Sequence, residues 1–107
     1  MTVIVPHRTT VEEAIGIVDR SADDLFEDVA GGLVELVDRK HDWKGHRMDF
    51  SLTAQAGFVS LPISGTIVVD EVNVTVQCEL PAVVQKFVGE DKIHASVERK
   101  VRGILAA

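Results

Sequence analysis

The sequence contains no tyrosine, and its only aromatic residues are one Trp and four Phe. Any core built from it must therefore be aliphatic, made of Val, Ile, Leu and Ala. A single cysteine, Cys78, leaves no intramolecular disulfide. That fits a reducing compartment, and a cytoplasmic location is expected. There is no excess of basic residues: the formal net charge is −6. An acidic chain repels phosphate backbones, so no nucleic-acid partner is expected. Met1 to Arg8 lacks the basic start and apolar run of a secretory signal. No apolar stretch approaches the ~20 residues that cross a bilayer as a helix.

What is present is one domain's worth of chain, 107 residues, of which 46% are apolar. A chain of this length buries roughly two-thirds of its unfolded surface without help from metals or disulfides. Neither linker nor repeat divides it, so residues 1–107 are expected to form a single domain.

Thr2-Val3-Ile4-Val5-Pro6 is a β-prone run ended by proline, which reads as a first strand at a sheet edge. Thr9 or Thr10 can cap a helix, with Glu12 and Glu13 in its first turn. Val11, Ala14, Ile15, Val18, Ala22, Leu25, Phe26 and Val29 then recur at spacings of three and four, the apolar face of an amphipathic helix. Gly31-Gly32 is expected to end it. Leu33, Val34, Leu36 and Val37 suit another helical turn or a strand; since they do not alternate, helix continuing or restarting as far as Lys40 is the favoured reading.

From His41 the period changes. Trp43-Lys44-Gly45-His46 reads as a strand end and a tight turn. Met48, Phe50, Leu52 and Ala54 alternate with polar residues, the pattern of a half-buried strand. Gly57 breaks it. Phe58 to Val69 follows, with Pro62 and Gly65 taken as signs of irregularity or a bulge. Asp70-Glu71 is a turn, and Val72, Val74, Val76 and Cys78 alternate in a further strand. Pro81 can open a short helix bearing Val83, Val84, Phe87 and Val88, interrupted by Gly89. Asp91 can cap a last helix with Ile93, Val97, Val101, Ile104 and Leu105 on one face. The expected fold class is α+β: an antiparallel meander with an N-terminal strand, in the order β-α-β-β-β-α, with both helices on one face of the sheet.

Groups that carry chemistry are sparse. His41 and His46 lie five apart around Trp43, but no paired-cysteine or HExxH spacing accompanies them. His7 and His94 are the other two histidines; His41 and His46 are read as two solvent-exposed turn histidines, and no metal or cofactor is expected. Cys78 falls on the inward side of its strand, where an inert buried thiol is the common state. Asp23-Asp24 and Glu27-Asp28 read as a solvated helix face. No phosphate loop, dinucleotide fingerprint or nucleophile elbow occurs. No enzyme activity is therefore expected.

Charge is unevenly placed. Thr10 to Asp38 holds nine acids and one base, whereas the last helix carries Lys92, Arg99, Lys100 and Arg102. Such a layout suits a polar protein contact, a charged granule surface, or attraction between the two helices.

Trp43-Lys44-Gly45-His46 leading to a strand at Phe50, Gly57 and Gly65, Thr66 to Val69, Val72 to Pro81, and a helix from Asp91 to Leu105 together resemble the polyhydroxyalkanoic acid system (granule-region) proteins of bacteria. Val5-Pro6-His7-Arg8 also looks like that family's start. The resemblance implies a setting, the polyester storage granule, and brings no catalytic residues. The element order is similar to a trimmed helix-grip domain as well, an architecture of small lipid-binding proteins.

The resulting expectation is a non-catalytic accessory protein that contacts a protein partner or a polyester granule surface. The alternative is a carrier of a small apolar ligand, lipid or acyl, in a cavity lined by Phe50, Phe58, Val74, Val76, Val97 and Val101. A homodimer is expected, through the first strand's edge and a surface formed by Val83, Val84, Phe87 and Val88.

Overall fold

The computed structural model describes residues 1–30, 35–79 and 89–106. The chain runs β1 (Thr2–Pro6), α1 (Val11–Ala30), β2 (Glu35–Lys44), β3 (Arg47–Ala56), β4 (Val59–Val69), β5 (Asn73–Glu79) and α2 (Glu90–Ala106). The strands form one antiparallel sheet in the order β1-β5-β4-β3-β2. It is the expected α+β architecture, with a meander of four strands and β1 added beside β5 at the edge. The ends marked by Gly31-Gly32, and the segment with Pro81, Val83, Val84, Phe87 and Val88, lie outside the described residues.

Helix α1 starts at Thr10, whose hydroxyl accepts from the Glu13 N–H (3.2 Å) and whose carbonyl accepts from the Ala14 N–H (3.0 Å). The Thr9 hydroxyl donates to Glu13 Oε2 at 2.6 Å, tying the first turn further. Helix α2 begins one residue before the position expected of an Asp91 cap. Gly89 precedes it, and its carbonyl accepts from the Lys92 and Ile93 N–H groups (3.0 and 3.2 Å). Asp91 instead sits in the first turn, where its charge suits the helix dipole.

Residues 35–40 are strand, not helix. β2 pairs with β3 from Glu35↔Gln55 to Lys44↔Arg47, with a register shift between Val37 and Lys40. There Asp38 and Arg39 together oppose the single residue Leu52, and Asp38 takes a φ of 54°. This is a β-bulge with Asp in the left-handed position, a conformation its short polar side chain tolerates. The extra residue resets which side chains face inward, so the apolar pattern of this stretch cannot alternate.

β4 is the reverse case. It pairs with β3 without a shift from Arg47↔Val68 to Ala56↔Val59, through both Pro62 and Gly65. Among the described residues Pro62 lies beyond the last β4–β5 pair, Ser64↔Glu79, so its missing N–H breaks no described bond of that ladder. Gly65 serves close packing, as a Cβ there would stand 2.6 Å from Phe50 Cζ and would also strike the Gln77 carbonyl. Both two-residue hairpin loops put Gly first, Gly45 (φ 64°) and Gly57 (φ 61°), the φ signature of type II′ turns.

One face of the sheet carries the core. Val3, Val5, Met48, Phe50, Ile67, Val69, Val74 and Val76 meet Ala14, Val18 and Leu25 of α1 and Val97 and Val101 of α2. Phe26 and Phe50 stack at 5.1 Å between ring centres. The two helices touch one another; α2 rests on β1, and α1 on β2 and β4. His7 is buried at the entrance to α1. Its Nε2 lies 2.6 Å from the Asp70 carbonyl and its Nδ1 accepts from the Thr9 N–H, so the neutral ring with the proton on Nε2 satisfies both. This bond fastens the start of α1 to the β4–β5 turn, which Asp70 Oδ1 closes by accepting from the Val72 and Asn73 N–H groups (2.8 and 2.6 Å).

Candidate functional site

The β3–β4 hairpin differs in composition from the rest of the molecule. From Phe50 to Val69, twenty consecutive residues include no Asp, Glu, Lys, Arg or His, although 26% of the whole chain is Asp, Glu, Lys or Arg. Its inner side is anchored: Phe50, Leu52, Ala54, Ile67 and Val69 are buried. Its tip is not. Phe58, second residue of the Gly57 turn, has a relative exposure of 109%, and Val59 beside it is 48% exposed. Gly57 supplies the positive φ, and the tight turn leaves Phe58 no neighbour to fold against.

This placement removes Phe58 from the expected cavity lining. The other five residues of that set, Phe50, Val74, Val76, Val97 and Val101, are core residues packed in one cluster. An open groove of about 540 Å3 does cross the sheet beside them. The register sets Thr2, Gln77, Thr66 and Asp49 in one row along it. Phe50, Gly65, Cys78 and Met1 contribute from the other face. Burial pushes the Cys78 thiol up from its ordinary pKa, which keeps it protonated at neutral pH and a poor nucleophile.

The histidine and acid candidates are dispersed by the fold. His41 is in β2, not in a turn, and its Nε2 lies 3.3 Å from Asp19 Oδ1; the same oxygen accepts from Trp43 Nε1 at 2.9 Å. Arg39 reaches Glu27 at 2.9 Å and Asp23 at 3.7 Å. Asp19, Asp23 and Glu27 are spaced by four on α1, and Arg39, His41 and Trp43 alternate on β2, so a helical period meets a strand period along one seam. The hydrogen bond from Arg39 to Glu27 raises the guanidinium pKa further. These acids, expected to be merely solvated, thus bind the edge strand. His46 is an exposed turn residue, as expected, and His94 pairs with Glu98 along α2 at 3.6 Å. Among the described residues, no three His, Cys, Asp or Glu side chains converge as a metal site. No helix among them is long and apolar enough to cross a membrane.

What the arrangement offers is an uncharged surface with an aromatic at its tip. An exposed Phe gives about 1.5–3 kcal/mol when a partner buries it. The signal was present in the sequence as the ionisable-free run, which is visible only when absences are counted along the chain. Comparison with protein-family models, with curated proteins and with solved structures finds no match to this chain.

Proposed function

We propose that this protein is a non-catalytic accessory protein that works by contact, presenting the outer part of the β3–β4 hairpin, Phe50 to Val69, which has no ionisable side chain, to a polyester storage granule or to a protein on its surface. The observation that carries this reading is the full exposure of Phe58 in the middle of a run, Phe50 to Val69, without ionisable side chains. A fixed charge costs several kcal/mol to move into an apolar phase, so a surface meant to meet such a phase is kept free of charges. The acidic helix α1 lies on the core side, with Asp19, Asp23 and Glu27 engaged with β2. The resemblance of residues from Trp43 onward to polyhydroxyalkanoic acid system proteins supports the granule setting, and with it a cytoplasmic location.

The experiment is fractionation of polymer-filled cells. The protein is expected in the granule fraction; exclusive recovery in the cytosol contradicts the reading.

The second reading, a carrier of a small apolar ligand, is favoured by the groove at Gly65. Titration with fatty acyl probes tests it through Trp43 fluorescence and the thermal midpoint. No change in either at saturating probe removes it.

A further inference from the structure

We infer that a second copy of this chain pairs with the edge of β1 that no strand among the described residues occupies, joining two five-stranded sheets into one continuous sheet across a two-fold axis at Ile4. The inference goes beyond the granule contact and rests on different residues.

The sheet ends in two edges of opposite character. β2 carries ionisable side chains at seven of its ten positions, is interrupted by the Asp38 bulge, and is held to α1 by Arg39, His41 and Trp43. Charges and a bulge are the ordinary means of keeping an edge from recruiting another strand. β1, Thr2–Pro6, has no charged residue and pairs with β5 without a shift. Its only guard is Pro6, which limits the length that can pair.

The hydrogen-bond phase settles which groups of β1 point outward. Met1 and Cys78 exchange backbone bonds, the Met1 nitrogen to the Cys78 carbonyl and the Cys78 N–H to the Met1 carbonyl, and the His7 N–H donates to Val72 O. In an antiparallel ladder alternate residues bond inward. Val3 and Val5 therefore bond to β5, and Thr2 and Ile4 direct both backbone groups at the open edge, as Pro6 directs its carbonyl.

Thr2-Val3-Ile4-Val5-Pro6 is compatible with its own antiparallel copy. With Ile4 opposite Ile4, each Ile4 N–H donates to the other's carbonyl, and each Thr2 N–H donates to the other copy's Pro6 carbonyl. No like charges meet. On the helix-free face Ile4 is 55% exposed, and the register continues through Thr75 to Val68, which is 36% exposed. The axis doubles this apolar strip, and a two-fold contact buries one patch against its own copy. One short strand edge falls below the ~1,200 Å2 of a standard interface, so the dimer is a weak one.

Sedimentation equilibrium over a micromolar dilution series tests this on the full chain. The mass is expected to fall from two chains to one on dilution. Ile4→Pro removes only an outward-facing N–H, and Ile4→Lys sets two ammonium groups against each other. Each is expected to raise the dissociation constant at least about tenfold, with the circular dichroism of the fold retained. If Ile4→Pro fails to fold, Ile4→Lys alone decides. A mass of one chain throughout, or a dimer indifferent to a folded Ile4 variant, overturns the inference.

Discussion

Phe50 lies against Gly65 on the neighbouring strand so closely that a single added carbon at position 65 would stand 2.6 Å from its ring. The two are register partners between β3 and β4, and the ring fills on one strand the space that the other leaves vacant. Phe50 also stacks on Phe26, so the contact fixes how the sheet meets α1. Gly65→Ala forces the backbone or the ring to move and is expected to cost about 1–3 kcal/mol, the usual range for overfilling a packed site. The urea midpoint measures it; an unchanged midpoint means the strands have room to spare.

The bulge in β2 makes a second prediction. Asp38 holds a φ of 54°, where a β-branched residue is strained and glycine is not. Asp38→Gly should leave stability unchanged or raise it by less than about 1 kcal/mol, and Asp38→Val should lower it by about 1–2 kcal/mol. Equal stability of the two variants in thermal unfolding would mean that the left-handed turn is not needed.

His7 and Asp70 join the start of α1 to the β4–β5 turn. His7→Ala removes a buried ring and its part-buried hydrogen bond to the Asp70 carbonyl, and about 1 kcal/mol of stability is expected to be lost, read from the urea midpoint.

The Asp70 carboxylate adds a pH dependence. Hydrogen bonds from the Asn73 and then the Val72 N–H hold its pKa below the usual carboxylate value. A depressed folded-state pKa contributes stability that is present above the unfolded value of about 3.9 and is lost as pH falls through the folded value. Below about pH 4 the wild type should therefore lose stability faster than Asp70→Asn, and chemical unfolding at stepped pH compares the slopes. Parallel slopes would show that the turn does not depend on the ionised group.

Much of the fold was legible because α1, β3 and β5 each bury one face and so keep a clean period. Val18, Leu25, Met48, Phe50, Val74 and Val76 are all buried where spacing placed them. β2 was not legible, since Asp38 and Arg39 share one opposing residue and the inward positions Leu36 and His41 are thereby five apart rather than four. Pro62 and Gly65 misled in the other direction: proline is harmless where no partner strand among the described residues asks for its N–H, and glycine can answer to a neighbour's ring rather than to a bend.

The candidate site was harder to read, because it consists of missing charge. Phe58 looked like one more apolar residue of a strand, and only the two-residue turn at Gly57 turns it outward. Side chains that usually signal function are instead spent on structure: Asp19, Asp23 and Glu27 fasten α1 to β2 through His41 and Arg39, and His7 fastens its start to the β4–β5 turn.

Adsorption of purified protein to a polyhydroxyalkanoate film, wild type against Phe58→Asp, tests the contact directly. Phe58 supports nothing inside the molecule, so the variant should keep the wild-type thermal midpoint. It should bind the film at least about tenfold more weakly, as the loss of one buried phenyl group requires. Equal adsorption of the two folded proteins would contradict the account.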